Sequence, residues 1–139
     1  MTGRTSQVDE RTPSFPPDPP FITWCDLHSS TYLIISMSNI LPEASVARIL
    51  DDASLFVSQM IQRGGDGLIP RGFWNLEEYG LELAFWNASN HQQTWGVIGS
   101  ALLALLEYFE HRVRIGSVRA IRFQVWDGRN QVGTGWLKG

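Results

Sequence analysis

The sequence predicts an α+β fold: a two-layer sandwich in which a mainly antiparallel sheet of about five strands has two helices on one face. Apolar residues alternate with polar or small ones in residues 79–87 and 118–126, which is the period of two expected for strands with one buried face. Two other segments repeat apolar residues at steps of three and four, which is typical of amphipathic helices. The predicted order is strand, helix, strand, strand, helix, strand, strand.

The first strand and the first helix follow from local composition. Residues 31–38 are rich in β-branched and aromatic side chains and are apolar on both faces, which favours a central strand. Pro42 suits the first position of a helix, because the N–H that proline lacks has no intrahelical partner there. The helical spacing continues through residues 46–61, and the glycine pair that begins at Gly64 is expected to end the helix.

The middle of the chain is predicted to form a pair of strands and the second helix. Residues 73–77 and 79–87 are two strands that a turn or a bulge separates near Gly80. Thr94 is the expected N-cap of the second helix, whose apolar face runs through residues 97–109.

The last two strands are expected to form a hairpin. Residues 118–126 are joined to residues 131–137 by a short loop with the sequence Asp-Gly-Arg-Asn. Gly133 and Gly135 lie in the second of these strands, where glycine lets another backbone or a bulky side chain come close. The residues predicted to be buried together in the core are Leu102, Leu105, Phe123 and Ile35.

The chain is expected to consist of one domain, residues 31–139, preceded by a proline-rich N-terminal arm, residues 1–30. Its 139 residues, of which 43% are hydrophobic, suffice for one continuous core. Five of the seven prolines fall within residues 1–20, which favours an extended segment. Two alternatives remain for this arm, a disordered tail or a segment that lies on a partner.

Charge and hydropathy argue against several classes of protein. The formal net charge of −3 argues against nucleic-acid binding, which usually requires a basic excess. No apolar run reaches the length of about 18 residues that a membrane span needs, and the first residues lack the apolar core of a signal peptide. Cys25 is the single cysteine, so an intramolecular disulfide is impossible. Together these features predict a cytoplasmic protein.

The residue spacing also argues against metal and nucleophile chemistry. His28, His91 and His111 are too far apart for a histidine-based zinc motif, and we predict neither a metal site nor a cofactor. Cys25, Asp26 and His28 could form a nucleophilic group, but they precede the first regular strand. Cys25 is therefore interpreted as a half-buried apolar residue.

The sheet face that the helices leave uncovered is where we expect a functional site. Glu82 and Arg122 have the parity of that face, and they would pair across the sheet if their strands are neighbours. A carboxylate against an apolar wall could act as an acid or a base, with His91 in the following loop as a second polar group. The alternative is a solvated pair that contributes about 1 kcal/mol at most. The candidate ligand-binding residues are Trp86, Gln124, Trp126, Trp74 and Trp136.

Three short segments carry a family resemblance: T-W-G-V at residues 94–97, F-Q-V-W-D-G at residues 123–128 and V-G-T-G at residues 132–135. From about Thr31 onward the chain resembles, through these segments, a group of small uncharacterised fungal proteins. The resemblance implies a link to fungal natural-product pathways, in which related small proteins assist cyclisations. It implies no active-site residues.

Two functions of different classes fit these observations. The first is cofactor-independent binding of an apolar small molecule, with assistance to an isomerisation or cyclisation by holding a reactive conformer. The second is a non-catalytic subunit that forms a homo- or hetero-oligomer with a protein partner through the same tryptophan-lined face. An enclosed cavity of about 300 Å³ or more would favour the first function, and a flat face buried by a second chain would favour the second.

Overall fold

The structure, a computed structural model, describes residues 21–26 and 29–139. The strands are β1 (Ile22–Cys25), β2 (Thr31–Ile40), β3 (Phe73–Glu78), β4 (Leu81–Asn87), β5 (Arg119–Asp127) and β6 (Asn130–Lys138). The helices are α1 (Glu43–Gly64) and α2 (Trp95–Ile115), and a short 3-10 turn covers Pro70–Gly72. Apart from β1, the strands and helices follow the predicted order.

The six strands form one sheet in the order β1-β2-β5-β6-β4-β3, and every neighbouring pair is antiparallel. Helices α1 and α2 pack against each other and cover one face of this sheet. The predicted α+β sandwich with two helices and an antiparallel sheet is therefore confirmed. The number of strands is six, one more than the approximate number expected.

The additional strand is β1, which the sequence pattern assigned to the N-terminal arm. It pairs with β2, with Trp24 opposite Leu33. Trp24 also contacts α2 edge-on, since its ring centroid lies 5.6 Å from that of Tyr108. Four residues are too few to reveal a period of two, so the pattern did not predict this strand. The rest of the predicted arm, residues 1–20, lies outside the described residues.

Both helices begin and end with local signals. Pro42 is the N-cap of α1 rather than its first helical residue, and Gly65 ends that helix with a φ of 78°. Thr94 is the N-cap of α2 as predicted, because its Oγ1 accepts the Val97 N–H at 3.2 Å. Asp66 Oδ1 accepts a hydrogen bond from the Gly96 N–H in the same first turn of α2, at 2.7 Å. Among the described residues, neither helix is long and apolar enough to cross a membrane.

The hydrophobic core fills the space between the helices and the covered sheet face. Leu102 and Leu105 from α2 are each 1% exposed, and they belong to the same buried cluster as Ile35 and Phe123 from the sheet. The four residues predicted to be buried together are therefore all in the core. Their burial fixes the rotation of α2 and leaves the opposite sheet face without a helix.

The glycines of β6 allow the close approach that was predicted. Gly135 lies between Phe85 on β4 and Phe123 on β5, and the two phenylalanine rings meet above it with centroids 5.3 Å apart. A Cβ at Gly135 would overlap the Phe123 ring and the Ala84 carbonyl oxygen, and one at Gly133 would overlap the Gln93 side chain. Glycine at both positions therefore permits packing across the middle of the sheet.

Candidate functional site

The sheet face opposite the helices, called the open face below, carries a continuous set of polar and aromatic side chains. In β2 and β5 the buried residues alternate with side chains that point to this face, as Ile34 and Arg122 do. Trp136 on β6 and Trp86 on β4 continue the surface, with their ring centroids 4.6 Å apart in an edge-to-face contact. The open face is therefore half aromatic and half hydrogen-bonding.

A groove of about 500 Å³ runs over the centre of the open face. It crosses β2, β5, β6 and β4, and its first wall is formed by Phe21, the residue that precedes β1. The groove remains open to solvent along one side, so it is a cleft rather than an enclosed cavity. The side chains that line it from the open face are those of Phe21, Ile34, Ser36, Trp86, Arg122, Gln124, Gln131, Thr134 and Trp136.

Trp136 is the best-anchored side chain of the groove. Its indole N–H donates to Glu82 Oε1 at 3.0 Å, which fixes the plane of the ring. Lys138 Nζ lies 4.0 Å from the ring centroid and the Arg122 guanidinium carbon lies 6.0 Å from it. The Trp136 indole is thus held by a hydrogen bond, by the second indole and by two cations. It presents a nearly rigid apolar surface to the groove.

Glu82 holds the side chain of Trp136, and its predicted acid–base role stays a prediction. Its Oε1 accepts from Trp136 and its Oε2 accepts from the Asn75 side-chain amide at 3.1 Å. Both carboxylate oxygens are thus engaged by neutral donors, and Glu82 is not one of the residues that line the groove. The direct effect of this carboxylate on the groove is the orientation of Trp136.

The expected pairing of Glu82 with Arg122 is wrong, because their strands are not neighbours. Strand β6 lies between β4 and β5, so Glu82 is opposite Lys138 and Arg122 is opposite Trp136. Alternation gave the correct face for both side chains, but it contains no information on which strands are adjacent. Each charge therefore has a residue of the last strand as one of its two cross-strand neighbours, and the other is Glu77 on β3 for Glu82 and Ser36 on β2 for Arg122.

Two other predicted site residues do not reach the groove. His91 is exposed in the loop between β4 and α2, where its backbone N–H donates to the Ala88 carbonyl at 2.9 Å. Trp74 is opposite Phe85 on the covered face, and its ring centroid lies 5.5 Å from Phe56 on α1. Trp74 is therefore part of the packing between the sheet and α1.

Trp126 lies on the open face, as its parity predicts, but outside the groove. Its ring stacks on Tyr32 of β2 with centroids 6.0 Å apart, and its indole N–H donates to Gln124 Oε1 at 3.0 Å. Of the predicted ligand-binding residues, the structure thus brings Trp86, Gln124 and Trp136 together with Arg122. Trp126 orients Gln124 through the hydrogen bond from its indole N–H.

Sequence reasoning missed five groove side chains, those of Phe21, Ile34, Ser36, Gln131 and Thr134. Phe21 had been assigned to the arm, and Ile34 to a strand expected to be buried on both faces. The signal for Ser36 and Thr134 was present, since each small polar residue alternates with buried neighbours in its strand. It becomes interpretable only when β2, β5 and β6 are known to be neighbours.

Neither thiol nor metal chemistry gains support from the described residues. Cys25 is exposed on the sheet edge opposite Tyr32, which corrects the expectation that it is half buried. His28, the proposed partner of Cys25, lies outside the described residues. Within residues 21–26 and 29–139, no three histidine, cysteine or carboxylate side chains are grouped in a way that could hold a metal ion.

A second polar cluster ties α1 to the turn between β3 and β4. The Tyr79 hydroxyl donates to Asp52 Oδ2 at 2.7 Å, and this hydrogen bond lowers the pKa of Asp52. A hydrogen bond to Asp52 raises the pKa of Glu78, and Arg48 lies 5.4 Å from the centroid of the Tyr79 ring. Tyr79 has a φ of 57°, so the cluster holds a turn residue in an uncommon conformation. We assign it a structural role.

Comparison of the chain with known protein families, curated proteins and solved structures gives no match. The three segments that carry the fungal resemblance have mainly structural roles in the fold. Thr94 caps α2, and Gly133 and Gly135 accommodate Gln93 and Phe123. The groove must therefore be interpreted from its own side chains.

Proposed function

We propose that the groove on the open face binds an apolar small molecule without a cofactor. The single observation that carries the proposal is a groove of about 500 Å³ floored by two contacting indoles, Trp86 and Trp136. This volume falls within the range of about 300–1,000 Å³ that small-molecule sites occupy, in an open cleft and not in the enclosed cavity named above as the mark of this function. Hydroxyl, amide and guanidinium groups surround this floor and can orient a ligand whose body is apolar.

The rigidity of the floor supports binding of one defined conformer. Trp136 is held by Glu82, and Trp86 contacts both Trp136 and Phe73, whose ring centroid is 5.2 Å away. Such preorganised aromatic surface loses little conformational entropy when a ligand binds. From the resemblance to small fungal proteins we further propose that the ligand belongs to specialised metabolism. Binding of a reactive conformer in the groove would then assist its isomerisation or cyclisation.

The test compares two tryptophans on the same face. We expect Trp86→Ser to weaken binding of naphthylacetamide, a neutral bicyclic probe, by about tenfold, because a buried indole supplies a large apolar contact. Trp126→Ser removes an indole outside the groove and should leave this affinity nearly unchanged. Titrations followed through the indole N–H signals in ¹⁵N-resolved NMR spectra report binding and confirm that each variant is folded.

The same pair of variants distinguishes a second candidate function, association with another protein chain. One observation favours it: the Tyr32–Trp126 stack extends the aromatic surface beyond the groove. If the open face is a protein interface, both substitutions should reduce the mass measured by light scattering. Probe binding that Trp86→Ser leaves intact would overturn the groove proposal, whether or not the chain associates.

A further inference from the structure

We infer that the ligand of the groove carries one carboxylate, which Arg122 binds, while its apolar body lies on Trp136 and Trp86. This inference rests on the proposed function, since it names the chemical class of the molecule that the groove takes. The observation behind it is the position of Arg122. It lies on β5, in the interior of the sheet, and its exposed side chain lines the groove.

The residues that neighbour Arg122 in the described sheet include no carboxylate. Within the described sheet, its direct cross-strand neighbours are Ser36 on β2 and Trp136 on β6. The diagonal neighbours on the same face are Ile34, Thr134 and Lys138. None of these five residues is acidic, so the guanidinium faces the groove with its charge uncompensated by the sheet.

Glu82, the carboxylate that accepts a hydrogen bond from Trp136, is engaged elsewhere. Its backbone lies two strands away from that of Arg122, about 10 Å at ordinary strand spacing. Its two oxygens accept from the Trp136 indole and the Asn75 amide. An anion entering the groove would therefore meet Arg122 without competition from this side chain.

Other groove donors complement an anion beside Arg122. The Trp126 indole N–H donates to Gln124 Oε1, because an indole N–H can only donate. The NH₂ group of the Gln124 amide is therefore left as a hydrogen-bond donor. Ser36 and Thr134 add hydroxyl groups to the same lining. Arg122 is the only charged residue that lines the groove among the described residues, which matches one carboxylate better than a doubly charged phosphate.

The experiment uses two probes of the same shape, naphthylacetate and its neutral amide, with the full chain at about pH 7, where the acid is ionised. We expect the acid to bind about tenfold more tightly than the amide at low salt, with the difference reduced at high salt. Arg122→Gln should remove this advantage, so that the acid and the amide bind the variant with equal affinity. Arg129→Gln, the same charge change in the exposed β5–β6 turn, is the matched control and should leave both affinities unchanged.

The outcomes separate this inference from the proposed function. Equal affinities for acid and amide, or an acid advantage that survives Arg122→Gln, would overturn the assignment of a carboxylate to Arg122 while ligand binding in the groove stands. An equal loss in Arg129→Gln would show that only long-range charge matters, and it would also overturn the inference. Failure of both probes to bind would overturn the proposed function and this inference together.

Discussion

Replacing Gly135 with alanine probes how the middle of the sheet is packed. Gly135 separates Phe85 and Phe123 in the strand order, so their backbones are about 10 Å apart at ordinary strand spacing. The ring centroids are nevertheless only 5.3 Å apart, because both side chains lean over the glycine. A methyl group at this position would overlap the Phe123 ring and the Ala84 carbonyl oxygen.

The expected cost follows from these two overlaps. Overpacking a well-filled core costs about 1–3 kcal/mol, and separation of an aromatic pair adds about 0.5–1.5 kcal/mol. We therefore expect Gly135→Ala to lower the free energy of unfolding by about 2–4 kcal/mol. Urea unfolding followed by tryptophan fluorescence should show a midpoint lower by about 1–2 M.

Two controls make the result specific. Gly64→Ala places the same methyl group in open space at the end of α1 and should be neutral or stabilising by up to about 1 kcal/mol. Phe123→Leu removes the overlapping ring, so the double variant should lose less than the sum of the two single losses. A Gly135→Ala protein within about 0.5 kcal/mol of the parent, or fully additive losses, would refute the packing explanation.

Two further predictions concern α2. Leu105→Ala should lower the free energy of unfolding by about 2–5 kcal/mol, because the side chain is 1% exposed in the core. Leu103→Ala changes a position that is 49% exposed and should lower it much less. Equal losses in urea unfolding would mean that the assigned core face of α2 is wrong. The Tyr108 hydroxyl is buried without a hydrogen-bond partner among the described residues, and burial raises its pKa to about 12. The unfolded chain then loses this proton from about pH 10 while the folded chain keeps it, so parent stability should fall between about pH 10 and 12. Tyr108→Phe should match or exceed the parent stability at about pH 7 and lack this part of the fall; an identical pH profile would contradict the assignment.

Local patterns predicted the elements and much of the core. The period of two in β4 and β5, the helical spacing of α1 and α2 and the Thr94 cap all appear in the structure. These features depend on residues a few positions apart, whose geometry the backbone of one strand or helix determines. The same patterns gave the correct face for Trp86, Arg122 and Gln124. For this reason four of the eleven residues that line the groove, Trp86, Arg122, Gln124 and Trp136, could be proposed from the sequence.

The tertiary structure decided which of these side chains meet. Strand order depends on hydrogen bonds between segments far apart in the chain. The predicted pairing of Glu82 with Arg122 required β4 and β5 to be adjacent, but β6 lies between them. The short strand β1 brings Phe21 to the groove, while Trp74 packs against α1 although it too is a strand tryptophan. By itself the sequence determined both helices, five of the six strands and the face of most side chains. Only the tertiary structure decided the neighbours, because a period of two assigns a side chain to a face but leaves the adjacent strand undetermined.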